Sequence, residues 1–96
     1  MRRKNTQKLH EVIEKYLESL DIDNKLKEVR LIRSWKNVVG TLIARKTDRI
    51  FIKEGKLFVY MSSSIARNEL AMVKDSLVER LNRHAGAQVI NDIILR

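Results

Sequence analysis

The sequence predicts an α+β domain, a two-layer sandwich of order α-α-β-β-α-β with its helices on one face of a three-stranded sheet. Three observations support this. Apolar residues recur at helical spacing over the first forty positions, two strand-like segments then flank a Glu-Gly pair, and helical spacing returns before a final apolar segment. Ninety-six residues correspond to one domain, for which we expect a basic N-terminal arm over 1–5 and the folded unit over 6–96.

Two helices are predicted before the sheet. Asn5 or Thr6 can cap the first, which should end near Asp21. The second should begin at Asp21 or Asp23 and end at Gly40, with a further turn after it. Apolar residues mark one face of each helix: Leu9, Val12, Ile13, Tyr16, Leu17 and Leu20 in the first; Leu31, Ile32, Trp35, Val38 and Val39 in the second.

A polar segment, 45–49, separates these helices from a predicted β-hairpin. Its strands are 50–52 and 57–61, and Glu54-Gly55 lies in the turn between them. Ser62, Ser63 or Ser64 should cap one long third helix with the apolar stripe Ala66, Leu70, Val73, Leu77 and Leu81. After Gly86, residues 89–95 should form the last strand. Because a helix intervenes, this strand should pair in parallel with a hairpin strand.

Composition favours a binding protein with an anionic partner. Twenty Lys and Arg residues against twelve Asp and Glu give a formal charge of +8, and such a field attracts polyanions. The alternative is that the charge serves only solubility. Absence of cysteine fits a reducing cytoplasm, and no apolar segment is long enough to cross a bilayer. We therefore expect a cytoplasmic protein with a nucleic-acid partner and no membrane partner.

Catalytic, cofactor and metal motifs are not found in the sequence. Its three glycines are isolated, so it has no dinucleotide-binding, Walker or GxxG loop. His10 and His84 are far apart and lack neighbours at metal-ligand spacing, which favours an interpretation as surface helix residues. We expect no enzymatic activity, no cofactor and no metal site.

Positive charge is concentrated between Lys25 and Arg49, where eight basic residues accompany two acidic ones. A row of cations one helical turn apart can follow successive phosphates. The alternative is a solvated helix face. The predicted phosphate-binding residues are Lys27, Arg30, Arg33, Lys36, Arg45, Lys46 and Arg49, with Arg2, Arg3 and Lys4 as a secondary group.

Aromatic residues offer a second possible contact. Trp35 could stack on a base, but it shares its helical face with core-type residues, which favours packing. Phe51, Phe58 and Tyr60 could form a stacking surface on the sheet, although the sequence leaves their pairing register open.

The motifs Trp35–Gly40, Ile43-Ala44 with Thr47, and Glu54–Val59 resemble the DciA-type family. So do Ser63-Ser64, Glu69-Leu70, Leu81-Asn82 and Val89–Leu95, and the similarity extends from about Leu9 to Arg96. The resemblance implies a KH-like fold, DNA binding and contact with the bacterial replicative helicase; members are often described as RNA-binding. Because a GxxG loop is missing, the usual KH binding mode is not expected.

Together these inferences predict a KH-like, non-enzymatic module that binds DNA, single-stranded or forked, and assists the replicative helicase in replication initiation. Two alternatives stay open. The same charge would serve an RNA- or ribosome-associated protein, and a protein-interaction adaptor would need no nucleic acid at all.

Overall fold

The computed structural model describes the backbone of residues 2–96 and the side chains of residues 8–96. These residues form five helices and one three-stranded sheet. The helices are α1 (Arg2–Arg33), α2 (Trp35–Val39), α3 (Thr41–Arg45), α4 (Ser64–Met72) and α5 (Lys74–Ala85); the strands are β1 (Thr47–Lys53), β2 (Lys56–Met61) and β3 (Asp92–Leu95). The succession of helices, two strands, helices and one strand confirms the predicted α+β order.

The sheet has the order β1-β2-β3. β1 and β2 are antiparallel, and β3 pairs in parallel with β2, as the helical crossover predicted. Glu54 and Gly55 both have positive φ, 52° and 74°, which is the combination that a two-residue hairpin turn requires. The hairpin is confirmed, but its first strand begins at Thr47, inside the segment that the sequence assigned to a polar connection.

The predicted boundary between the first two helices is wrong. α1 runs without interruption through residues 21–23, because Asp21 and Asp23 act inside the helix instead of capping a new one. Each carboxylate lies near a lysine four residues later: Asp21 Oδ2 is 3.6 Å from Lys25 Nζ, and Asp23 Oδ2 is 3.0 Å from Lys27 Nζ. The helix ends at Arg33, and the hydroxyl of the next residue, Ser34, donates a 2.6 Å hydrogen bond to the Leu31 carbonyl.

The predicted third helix is two helices. Ser63 caps α4 by accepting a hydrogen bond from the Ala66 amide at 3.2 Å, as expected for one of the three serines. The break falls at Val73, where φ is −115° and ψ is 20°. Val73 is therefore exposed, although its spacing placed it in the apolar stripe, while Leu70 and Leu77 on either side are buried.

The final strand is shorter than predicted because the Asn82 side chain forms hydrogen bonds with the backbone groups of Val89 and Ile90, which strand pairing would otherwise use. Its Oδ1 accepts hydrogen bonds from both amides, at 2.9 and 3.0 Å, and its Nδ2 donates to the Ile90 carbonyl at 2.8 Å. β3 therefore begins only at Asp92. Gly86 ends α5 in the left-handed conformation, with φ at 79°, and makes the turn that brings Val89 back beside Asn82.

The core lies between the helices and one face of the sheet. Leu57, Val59 and Ile93 are fully buried on that face, and Leu31 and Leu81 meet them from α1 and α5. Ile50 and Ile52 of β1 pack at its edge. The predicted packing of the helices on one face of the sheet is thus confirmed. Among the described residues, no helix covers the opposite face.

The outer part of α1 does not join this core. Its apolar stripe, predicted from 3–4 spacing, is exposed along its whole length; the exposed fraction of these residues ranges from 43% at Leu20 to 63% at Tyr16. A 32-residue helix is about 48 Å long, and only its C-terminal turns reach the sheet layer. α1 therefore projects from the domain as an amphipathic arm.

The ion pair between Asp92, at the start of β3, and Lys74 should contribute to stability in a pH-dependent way. A hydrogen bond from Lys74, with Nζ 3.1 Å from Oδ1, and another from the Ile93 amide hold the pKa of Asp92 below its ordinary value. A lowered carboxyl pKa stabilises the folded state above the unfolded pKa, and this contribution is lost as the pH falls through the folded pKa. Because Asp92 is substantially exposed, we expect Asp92→Asn to cost under about 1 kcal/mol near neutral pH. The cost should vanish in acid, which urea unfolding at several pH values would measure; a pH-independent cost would contradict the assignment.

Candidate nucleic-acid interface

The three predicted cations of α1 do not line the same groove. At 100° per residue Lys27 and Arg33 are about 120° apart, and Arg30 lies about 60° from each. Lys27 is half-buried and paired with Asp23, and it lines a 310 Å³ groove against Ala87–Val89, the segment after α5. Arg30 and Arg33 are exposed and together line a shallow groove with Leu26 and Val29. Arg30 and Arg33 therefore share a groove that Lys27 does not line.

Arg30 and Arg33 carry uncompensated charge. Among the side chains of residues 8–96, neither has a carboxylate within ion-pair distance. They occupy the last turn of α1, where a cation also interacts favourably with the helix dipole. The pair is spaced by one helical turn, which suits contact with neighbouring phosphates.

Lys36, Arg45 and Lys46 are the predicted cations of the two short helices that follow α1 and of the residue after them. All three are exposed and, within the part of the chain with described side chains, have no ion-pair partner. Lys46 is held in place through its backbone, because its carbonyl accepts hydrogen bonds from the Ser62 amide at 2.8 Å and the Ser62 hydroxyl at 3.1 Å. This link fastens the end of α3 beside the start of α4.

Trp35 is a core residue, as its helical face indicated. Only 4% of it is exposed, so it offers no surface on which a base can stack. Its indole Nε1 donates to Thr47 Oγ1 at 3.0 Å, and that hydroxyl donates to the Ile43 carbonyl at 3.1 Å. Trp35 thus joins α2, α3 and the start of β1, and it orients the segment that carries Arg45 and Lys46.

Arg49 is placed differently from the other cations. An irregularity in the β1-β2 pairing lies between Thr47 and Arg49, and beyond it Arg49 pairs with Tyr60 on the sheet face away from the helices. Its guanidinium carbon is 4.8 Å from the centre of the Phe51 ring and 5.9 Å from that of Tyr60. Both are distances at which a cation interacts with an aromatic ring.

The outer aromatic cluster consists of Phe51, Phe58 and Tyr60. Phe51 and Phe58 are cross-strand partners whose ring centres lie 5.0 Å apart at an interplanar angle of 7°. The Phe51 and Tyr60 ring centres are 6.2 Å apart at 22°. The sequence predicts these three residues as a possible stacking surface, but only the pairing register shows that all three lie on the same face of the sheet. The alternation of Phe58 and Tyr60 along β2 was the one signal available.

Other sequence expectations concern residues outside this surface. His10 and His84 are exposed helical residues, as predicted. Within the described residues, no three His, Asp or Glu side chains come together as metal ligands, and no helix has the length and apolarity to cross a membrane. The side chains of Arg2, Arg3 and Lys4 lie outside the described ones.

Comparison with known protein families gives a match over most of the chain. Residues 8–95 match the family model described as Dna[CI] antecedent, DciA. The matched region includes α2 to β3 entirely and all of α1 whose side chains are described. No curated protein is significantly similar to the chain. The family resemblance inferred from the sequence motifs is therefore confirmed.

Proposed function

The chain belongs to the DciA family, which is associated with helicase loading in DNA replication, and we propose that within this process it is a non-enzymatic module that binds single-stranded or forked DNA. The observation that carries the proposal is a set of exposed basic residues that have no ion-pair partner among the side chains of residues 8–96: Arg30, Arg33, Lys36, Arg45 and Lys46. Cations on such a surface release counterions when they neutralise phosphates, which supplies affinity without sequence preference.

Arg30 and Arg33 are the most informative pair in this surface. Both leave α1 on the same side, and Leu26 and Val29 between and beside them form an apolar floor. Their side chains are exposed and do not belong to the core, which Leu31 of α1 and Trp35 of α2 fill at this point. Changing their charge should therefore alter binding and leave folding intact.

We expect the double substitution Arg30→Glu, Arg33→Glu to weaken binding to a single-stranded oligonucleotide by about tenfold or more at moderate salt. Loss of two phosphate contacts should also reduce the slope of log K against log salt by about 1.4. Fluorescence anisotropy with a labelled oligonucleotide over a salt series measures both quantities. Circular dichroism and thermal unfolding establish that the variant is folded.

The matched control is Arg80→Glu, Arg83→Glu on α5. These arginines are exposed, have the same spacing and give the same change in net charge. We expect a much smaller loss of affinity from this variant. Equal losses from the two pairs would mean that net charge, and not the proposed surface, determines binding; no loss from either would contradict nucleic-acid binding by this surface.

The preference for DNA rests on family membership and has its own test. Unlabelled single-stranded DNA, forked DNA and structured RNA should compete for the same labelled complex, and we expect the DNA competitors to displace it at lower concentration. A stronger effect of RNA would favour an RNA- or ribosome-associated role instead.

We also propose direct contact with the replicative helicase, as the family association suggests. A pull-down from the native cell should recover the helicase after nuclease treatment. Recovery that depends on intact nucleic acid would mean that DNA bridges the two proteins without direct contact.

A further inference from the structure

The outer face of the sheet has an unusual composition for a surface in contact with water. A sheet that packs on the core with one face only, such as this antiparallel hairpin with one added parallel strand, normally carries polar residues on its other face. Here Phe51, Phe58, Tyr60 and Ile94 occupy the middle of the outer face, with Phe58 directly between Phe51 and Ile94 in the register. None of the four belongs to the core or to the apolar residues packed against it. This face is therefore apolar without being part of the fold's interior.

The rings on this face are already arranged for stacking. Phe51 is nearly parallel to Phe58 and close to parallel to Tyr60, and Arg49 lies over Phe51 and Tyr60. Cross-strand aromatic pairs also stabilise a hairpin, but that role needs no cationic surroundings. The three aromatic residues are half-buried, so a planar ligand would extend this stack at the ring faces that Arg49 and the neighbouring rings leave open.

The surroundings of the cluster are basic. Arg49, Lys53 and Lys56 lie on the same face by register and are exposed. Asp92, the acidic residue that β3 places next to Lys56, is occupied by its ion pair with Lys74. Glu54 lies at the hairpin turn. Aromatic rings inside a cationic rim fit a ligand that is planar, apolar on its faces and anionic at its edge.

We propose that the outer aromatic cluster binds unpaired bases of single-stranded nucleic acid by stacking, while Arg49, Lys53 and Lys56 contact the adjoining phosphates. Bases present such faces only when unpaired, and stacking on aromatic side chains tolerates any sequence. A second copy of the chain fits this face less well, because its rim would meet an identical cationic rim. The inference rests on the proposed function and adds a second contact of a different kind to it.

The decisive comparison uses two oligonucleotides of equal length, one of thymidines and one abasic at every internal position. Both present the same phosphates, so the basic surface binds both, whereas the aromatic cluster can engage only the thymidines. We expect the unaltered protein to bind the thymidine strand about tenfold or more tightly than the abasic strand. Equal affinities would overturn the stacking proposal and leave the phosphate-binding proposal standing.

Variants then assign the preference to the cluster. Phe51→Leu with Phe58→Leu removes the rings but keeps apolar strand residues, and it should abolish the preference for thymidine without changing affinity for the abasic strand. Phe58→Tyr keeps the ring and should retain the preference. Arg30→Glu with Arg33→Glu should weaken binding of both strands. If this variant bound both strands as tightly as the unaltered protein, the proposed phosphate-binding function would be wrong, and this result is distinct from a loss of the thymidine preference.

A spectroscopic measurement makes the proposal independent of how well the leucine variant folds. Stacking quenches the fluorescence of 2-aminopurine, so an oligonucleotide carrying it should dim on binding to the unaltered protein. We also expect NMR signals of the Phe51 and Phe58 rings to shift. Binding without quenching and without ring shifts would overturn the proposal. The same titration with an RNA strand reports whether the surface distinguishes ribose from deoxyribose.

Discussion

Replacing Asn82 with alanine is expected to lower the free energy of unfolding by about 3 kcal/mol. The Asn82 side chain joins α5 to the backbone of Val89 and Ile90 through three hydrogen bonds of 2.8 to 3.0 Å. Alanine leaves two amides and one carbonyl without their partner in a partly buried position, and each unmade bond carries a desolvation cost. Urea unfolding followed by circular dichroism measures the loss.

Two other substitutions bracket this result. Asn82→Asp retains the acceptor for both amides but loses the donor to the Ile90 carbonyl, so we expect an intermediate loss. Asn68→Ala on α4 removes an exposed asparagine with no side-chain hydrogen bond among the described residues, and alanine is the better helix former. It should leave stability unchanged or slightly raised. Equal effects at positions 68 and 82 would contradict a structural role for Asn82.

The second large effect is expected within a single helix. Leu31→Ala near the end of α1 should cost about 2–5 kcal/mol, because Leu31 is completely buried and its truncation leaves a cavity. Leu17→Ala makes the same chemical change in the same helix, but Leu17 is 57% exposed. We expect it to change the free energy of unfolding by less than about 0.5 kcal/mol.

This pair of variants tests whether the outer part of α1 is without contacts in solution. If the exposed stripe packed against a second copy of the chain, Leu17→Ala would also be costly, and the unfolding midpoint would rise with protein concentration. Midpoints measured over a wide concentration range distinguish the two cases. We expect only Leu31→Ala to move the midpoint substantially.

The sequence predicts part of the candidate interface and leaves the rest open. The basic segment was identified because charge is visible in the sequence, and exposure of Arg30 and Arg33 agrees with that reasoning. The position of Lys27 depended on details that spacing does not show, since it lies in a groove formed with residues about sixty positions later. The aromatic cluster required the cross-strand register, because Phe51 and Phe58 come from different strands.

Local physics explains what the sequence determined by itself. Some features depend only on residues a few positions apart, and the structure contains all of them: the hairpin turn at Glu54-Gly55, the helix cap at Ser63, and the helix ends at Gly40 and Gly86. The α+β order and the parallel pairing of β3 followed from the same short-range patterns, because a helical crossover restricts how strands can pair.

Only the tertiary structure decided where the long segments break and which faces are left open. α1 continues past Asp21 and Asp23 because nothing there interrupts a helix that is free of Gly and Pro. Residues 89–90 leave the strand because the Asn82 side chain satisfies their backbone groups instead. The outer sheet face is uncovered because the helices of the described chain pack on the inner face, and the outer part of α1 projects away from the domain. The last two outcomes depend on contacts between separate segments, which compete with local preference and are not encoded in spacing, whereas the continuity of α1 is a local preference.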